Sequence, residues 1–310
     1  MLRNILLTMS QSEMLRKVAT GFPPARMVSR RWVAGEQLSE ALSVVESLRQ
    51  EGLMATLDFL GENTNSRVEA DFYTEEIIRA LNALAAAELT PNVSLKLTAM
   101  GFDISDEVAT ANLRRVLQAA QQYDNAFVRI DMESSDYIDR TLAIYRQMRA
   151  EGFNHTGVVI QSYLYRSEKD VLALIDQGAK VRLVKGAYDE PPHLAYPEKR
   201  DVDANFVHLM ELLMSAEARQ KGVYAAIATH DPKMVEVTKL YANSHDVPRD
   251  AFEFQMLYGI STSMHHQLVA DGYRFRVYVP YGTHWYPYFM RRLAERPANV
   301  LFILRSLARR

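Results

Sequence analysis

Arg291 and Arg292 stand side by side in YGTHWYPYFMRRLAERP (281–297). Two adjacent guanidinium groups on one helix can hold a small carboxylate through paired hydrogen bonds of fixed geometry. Pro287 suits a first helical turn, and Tyr288, Arg291, Arg292 and Glu295 then recur at three or four residues, so Tyr288 and Glu295 can brace the arginines on one face. In isolation RRLAER reads as a solvated helix face; its place directly behind the last β-prone run points instead to a site. A second set lies late in apolar runs: Lys96 in VSLKLTAM, Asp131 in FVRIDM, Gln161 in VVIQSY, Arg182 and Lys185 in VRLVKGAY, Thr229 and His230 in AAIATHD, and Tyr278 in FRVYVPYG. Charged residues are seldom buried unless paired. Lys96 and Asp131 alone would fit a structural ion pair, but a whole ring of such residues fits an active site. Lys96 or Lys185 can also form a Schiff base with a carbonyl substrate, as in an aldolase, and a barrel that merely binds an amino acid would need the same side chains. His230 by itself reads as a satisfied histidine and His265-His266 as surface, so no metal site is expected.

The elements that must position these residues are legible as an alternation. Gly52, Gly152, Gly178, Gly222 and Gly272 each close a polar stretch where a helix needs a left-handed cap, and a β-prone run follows at once. There are eight runs: Ala55 to Gly61, Val93 to Met100, Phe127 to Met132, Gly157 to Tyr163, Lys180 to Lys185, Tyr224 to Thr229, Phe252 to Leu257 and Phe275 to Pro280. Between them apolar residues recur at helical spacing, as in Ile78, Leu81, Leu84 and Ala85, or Ile138, Leu142, Tyr145 and Met148. Unbroken alternation implies a parallel sheet. An open doubly wound sheet satisfies it too, but the count of eight and the polar strand ends favour an α/β fold of the (β/α)8 TIM-like barrel type. Chemistry in such a barrel sits at the C-terminal ends of the strands. The proline-rich stretch Asp189 to Arg200, after the fifth run, is then an active-site loop. One domain over 1–310 is expected, with a helical extension at 1–50 and the barrel at 55–310.

With a formal charge of -2 spread evenly, the chain has no field for gathering nucleic acid. It contains no cysteine, which removes disulfides, thiolate metal sites and cysteine nucleophiles. Ile5-Leu6-Leu7 is interrupted by polar Ser10 to Glu13 before a signal core or membrane span can form, so a cytoplasmic location is expected. Met14, Leu15 and Val18 can share a helix face, either packed on the domain or in peripheral contact with a membrane.

The runs VRLVKGAYDEP (181–191) and YGTHWYPYFMRRLAERP (281–297), with Lys96, Asp131, Gln161, Arg182, Thr229-His230 and Tyr278 in order, resemble proline dehydrogenases over roughly residues 55–310. The resemblance implies a distorted barrel, with N-terminal helices and the final helix over its mouth. It implies FAD bound without covalent attachment, oxidation of L-proline to Δ1-pyrroline-5-carboxylate as the first step of proline catabolism to glutamate, and a quinone as electron acceptor. By position, Met132, Gln161, Arg182, Lys185, Gly186, Ala187, Thr229 and His230 would contact FAD. Lys96, Tyr278, Tyr288, Arg291, Arg292 and Glu295 would line the proline site, and Asp131 and Arg182 would be the catalytic pair. The absence of a G-x-G-x-x-G fingerprint argues against a Rossmann site only. Larger family members carry an aldehyde dehydrogenase domain with a catalytic cysteine; this cysteine-free chain is expected to be the monofunctional form. Glu62, just past the first strand, is placed to pair with Arg291 and gate the site.

Overall fold

A computed structural model describes residues 29–295, with side chains through Arg292. Helices stop where a left-handed residue is available: Gly52, Gly152, Gly178, Gly222 and Gly272 all have positive φ, between 58 and 94°, and each is followed within a few residues by a strand. The strands are β1 (Met54–Phe59), β2 (Asn92–Leu95), β3 (Phe127–Ile130), β4 (Thr156–Gln161), β5 (Lys180–Val184), β6 (Tyr224–Ala228), β7 (Phe252–Leu257) and β8 (Phe275–Tyr281). They form one closed barrel in sequence order, every neighbouring pair parallel. The expected (β/α)8 architecture is the observed one.

The helices are α1 (Leu38–Gln50), α2 (Arg67–Ala86), α3 (Asp106–Ala120), α4 (Ile138–Ala150), α5 (Ser167–Asp176), α6 (Lys199–Met214), α7 (Ala216–Gln220), α8 (Pro232–Ser244), α9 (Thr262–Ala270) and α10 (Trp285–Glu295). Ile138, Leu142, Tyr145 and Met148 of α4 and Leu81 and Leu84 of α2 are buried, as their spacing predicts. Several strands end sooner than their apolar runs. β2 stops at Leu95 because Leu97 turns into helical φ/ψ and a 3-10 turn, Thr98–Met100, follows. There the Thr98 N–H is taken by the Glu133 side chain at 3.2 Å instead of by a neighbouring strand.

Of the expected N-terminal helical extension, α1 is one helix; it opens with a capping box between Gln37 and Glu40 and buries Ala41, Val45 and Leu48. Met14, Leu15 and Val18 lie outside the described residues. Residues 29–36 form an irregular strap across the end of β8. The Ala34 N–H donates to Pro280 O at 2.8 Å, and the Gly282 N–H donates to Gly35 O at 3.0 Å. Trp285 Nε1 donates to Glu36 at 3.1 Å. Trp32 and Val33 join Leu60, Ile260, Trp285, Tyr286, Tyr288, Phe289 and Met290 in an apolar cluster separate from the main core. A side chain at Gly259 would overlap the Arg31 carbonyl, so the strap needs glycine there. α10 therefore packs on the strap and crosses the barrel mouth, with Pro287 in its first turn. Among the described residues no helix is long and apolar enough to cross a membrane.

Candidate active site

Side chains alternate across a strand, and one parity of this barrel is polar. Thr56 and Asp58 (β1), Ser94 and Lys96 (β2 and just beyond), Asp131 (just beyond β3), Arg182 (β5), Glu253 and Gln255 (β7), and Arg276 and Tyr278 (β8) form one connected network, while Arg129 of β3 donates to the Val158 and Lys180 carbonyls. Arg182 is its hub and is almost fully buried. Its Nη1 donates to Asp131 Oδ1 at 2.7 Å, its Nη2 to Ser94 Oγ at 2.9 Å and its Nε to Gln255 Oε1 at 2.6 Å. The second Asp131 oxygen accepts the Tyr278 hydroxyl at 2.7 Å, and the Arg182 guanidinium lies 5.2 Å from the Tyr278 ring centre. Burial, with Asp131 and Asp58 nearby, pushes the Tyr278 hydroxyl well above its usual range, so it remains a donor.

Lys96 does not pair with Asp131. Its Nζ lies 3.4 Å from Asp58 Oδ2, because Asp131 is already committed to Arg182 and Tyr278. Burial works against the Lys96 ammonium, but Asp58, Asp131 and Glu62 outweigh it and raise its pKa. A lysine held charged is a poor Schiff-base nucleophile. Lys185 is likewise pinned, at 2.5 Å from Asp203 and 2.7 Å from Asp231. Burial notwithstanding, that contact holds Asp231 down at about 2.

Above this layer sits the mouth. Arg291 donates to Glu62 at 2.8 Å, the pairing expected from sequence. Arg292 lies with its guanidinium 5.1 Å from the Tyr288 ring centre. The bracing of the pair by Glu295 falls outside the described side chains; Arg291 is held by Glu62. The loops are stapled to one another. Thr64 donates to Thr98 O at 3.0 Å, Thr98 Oγ1 donates to Glu133 at 2.6 Å, and Gln161 Nε2 donates to Glu133 O at 3.2 Å. The loop after β5 is tied down by Glu190, which accepts from Ser135 N and Oγ at 2.7 and 2.6 Å. This loop brings Tyr188 into the site, where burial and Glu133 keep its hydroxyl protonated.

Glu133 was not flagged by sequence, since it lies past the strand. Burial raises its carboxyl to about 7 against the pull of Thr98 and Lys96. The folded protein thus holds a proton between pH ~4.5 and ~7 that the unfolded chain releases, so stability falls as pH rises through that window, by about 3 kcal/mol at most. Replacing Glu133 with Gln should flatten this fall in thermal-melt midpoints measured from pH 5 to 8. An unchanged slope would assign the titration elsewhere.

Of the other residues singled out, Gln161 is buried and its Oε1 finds no partner among the described residues. His230 Nε2 accepts from Leu257 N–H at 2.9 Å, which puts the ring proton on Nδ1. Thr229 Oγ1 accepts from Asp231 N–H at 3.1 Å. Gly186 has φ 113°, and a side chain there would overlap the Tyr163 ring. Met132, after β3, is buried and Ala187, after β5, is half-buried. His265, expected at the surface, is instead buried against Phe275 with ring centres 4.5 Å apart, because α9 turns it toward β8; burial lowers its pKa to about 4. His266 next to it is exposed. Asp58, Ser94, Glu133, Tyr188 and Gln255 were missed. Asp58 in TLDFL, Ser94 in VSLKL and Gln255 in FEFQML carried the same polar-in-strand signal as the residues that were found.

A family model described as Proline dehydrogenase matches residues 41–305. The chain belongs to the proline dehydrogenase family. It is 44% identical over 310 residues to Proline dehydrogenase 1 of Bacillus subtilis (strain 168), covering 100% of both chains. To the Proline dehydrogenase of Deinococcus radiodurans it is 40% identical over 284 residues, 90% of each. The Bifunctional protein PutA of Escherichia coli (strain K12) is 28% identical over 90% of this chain but only 24% of that protein, so the likeness over full length is to the standalone members. Among solved structures, proline utilization A from Bdellovibrio bacteriovorus inactivated by N-propargylglycine superposes with a TM-score of 0.80 at 30% identity, over 87% of this chain and 32% of that one.

Proposed function

We propose that residues 1–310 act as one monofunctional proline dehydrogenase domain, which oxidises L-proline to Δ1-pyrroline-5-carboxylate with noncovalently bound FAD and passes the electrons to a quinone. Family membership supports the reaction. The observation that carries the cofactor reading is the unsatisfied polar surface around Arg182. Gln161 Oε1 is a buried acceptor with no partner among the described residues, and Arg182 spends one N–H per nitrogen on Asp131, Ser94 and Gln255, leaving two of its five donors for a ligand. A flavin ring offers donors and acceptors of that kind. Met132, Gln161, Arg182, Lys185, Gly186, Ala187, Thr229 and His230 would hold FAD, which supplies the acceptor for the hydride leaving proline C5.

The chain's own residues do the rest. Arg291 and Arg292 hold the proline carboxylate, with the Tyr288 ring beside Arg292, and so aim the ring. Asp131 and Arg182 form the catalytic pair: Asp131 orients the guanidinium, and Arg182 offers fixed positive charge where negative charge develops. Lys96, held as an ammonium, opposes a second positive charge beside it, which favours the neutral ring nitrogen that hydride departure requires. Tyr278 closes the floor by its bond to Asp131. A quinone dissolved in the bilayer requires a cytoplasmic enzyme to make peripheral contact at the inner face of the membrane.

The Glu62–Arg291 pair acts as a gate, since the substrate carboxylate must take the place of Glu62. Glu62→Ala should therefore raise the second-order rate of proline binding in stopped-flow traces and shift kcat and KM together; unchanged proline kinetics would count against the gate. The whole reading is tested by the visible spectrum of the FAD-reconstituted protein before and after anaerobic L-proline. Bleaching by L-proline and not by D-proline is expected. A colourless protein that binds proline would make it a binding barrel, and bound flavin indifferent to proline would sink the assignment.

A further inference from the structure

Gln255 is buried in β7, and both ends of its amide are committed. Its Oε1 accepts from Arg182 Nε at 2.6 Å, and its Nε2 donates to Glu253 Oε1. Glu253 is clamped in turn by Arg276, from Nε at 2.8 Å and Nη2 at 3.1 Å, and accepts the Tyr224 hydroxyl at 3.3 Å. A carboxylate only accepts, so Glu253 determines which end of the amide faces Arg182. A neutral side chain thus stands between a buried anion and a buried cation, and Asp131 is the one carboxylate that pairs with Arg182 among the described residues.

We infer that Gln255 is a positioning residue for the oxidation: it turns the Arg182 guanidinium through Nε while withholding a second negative charge, leaving the positive charge of Arg182 available to the cofactor. This rests on the flavin reading above. An amide does both jobs, whereas leucine or methionine would do only the second and ionised glutamate only the first.

Glutamate at this position gives the inference a pH signature. The groups around it are Arg182 on β5, Glu253 on β7, Arg276 and Tyr278 on β8, Arg129 and Asp131 on β3 and its end, and Tyr224 on β6. A protonated carboxyl repeats the amide, its C=O accepting from Arg182 and its O–H donating to Glu253. Once ionised, it sets two carboxylates side by side and gives Arg182 a second anion.

The test compares wild type, Gln255→Glu and Gln255→Met in the FAD-loaded protein, by rate of anaerobic flavin reduction with L-proline, by the midpoint potential of bound FAD, and by 15N-resolved hydrogen exchange of the Arg182 Nε–H before FAD is added. Gln255→Glu should be about tenfold slower at pH 8 with a potential more negative by about 30 mV, tenfold in a two-electron equilibrium, and both should recover toward wild type at pH 6. Gln255→Met should be slower at every pH without the added pH dependence, and its Nε–H should exchange faster. Rates within twofold of wild type with unchanged potentials in both variants would overturn the inference. So would failure of both to fold, which would make the contact structural. A wild type that binds no FAD would remove the flavin reading and the charge-withholding role with it, while a protected Nε–H lost in Gln255→Met would still establish the clamp.

Discussion

Arg291→Lys should raise KM for L-proline by roughly 30- to 100-fold while kcat changes only a few-fold. Lysine keeps the charge and can still reach toward Glu62, but it loses the two-pronged geometry that a carboxylate matches. A hydrogen bond to a charged partner contributes about 1.5 to 3 kcal/mol, and each 1.4 kcal/mol is about tenfold. The loss falls on KM because the carboxylate is held equally before and during hydride departure, which is uniform binding. Steady-state kinetics with saturating acceptor measure both constants. An unchanged KM would remove Arg291 from the substrate site and leave its bond to Glu62 as a purely structural link.

Asp131→Ala should have the largest effect on the molecule as a whole. Asp131 is the carboxylate paired with Arg182 at 2.7 Å and also the acceptor for Tyr278 at 2.7 Å. Removing it leaves a buried guanidinium uncompensated, a change that costs about 3 to 5 kcal/mol in comparable sites. At a few degrees per kcal/mol for a chain of this size, the melting midpoint should drop by on the order of 10 °C. Losing the orientation of Arg182 should lower kcat by a factor of about 10^2 to 10^3, the range for removing one aimed charge or donor. Asp131→Asn keeps the shape and should lose less stability than alanine while losing comparable activity. If the alanine variant melts like wild type, the ion pair is not what holds Arg182 in place.

The barrel was legible because its signals are local. A glycine at each helix end and a β-prone run behind it lie within a few residues of one another, and eight repeats of that unit leave few alternatives. The run ends were less legible: Thr98 leaves the strand direction because Glu133, 35 residues away, takes its N–H, a competition no local window contains. Site residues were found where a charge interrupts an apolar run, as at Lys96, Asp131 and Arg182. Asp58 and Gln255 interrupt their runs in the same way and were missed, although the alternation that turns Thr56 inward turns Asp58 inward too. Partner choice was the least accessible level. Lys96 takes Asp58 rather than Asp131 because Arg182, 51 residues beyond Asp131, claims it first. The Glu62–Arg291 bond was foreseeable, since closure of the barrel must bring the first loop beside the last helix.

The strap at residues 29–36 bears on how such enzymes can be recombined. The region matched by the family model begins at residue 41, so a graft cut at that boundary would carry α10 without Trp32, whose ring meets Phe289 at 5.7 Å between centres, and without Glu36, the acceptor for Trp285. The arginine-bearing helix and a segment some 250 residues earlier are one unit of inheritance, and a change of substrate preference transplanted between relatives has to move both pieces together.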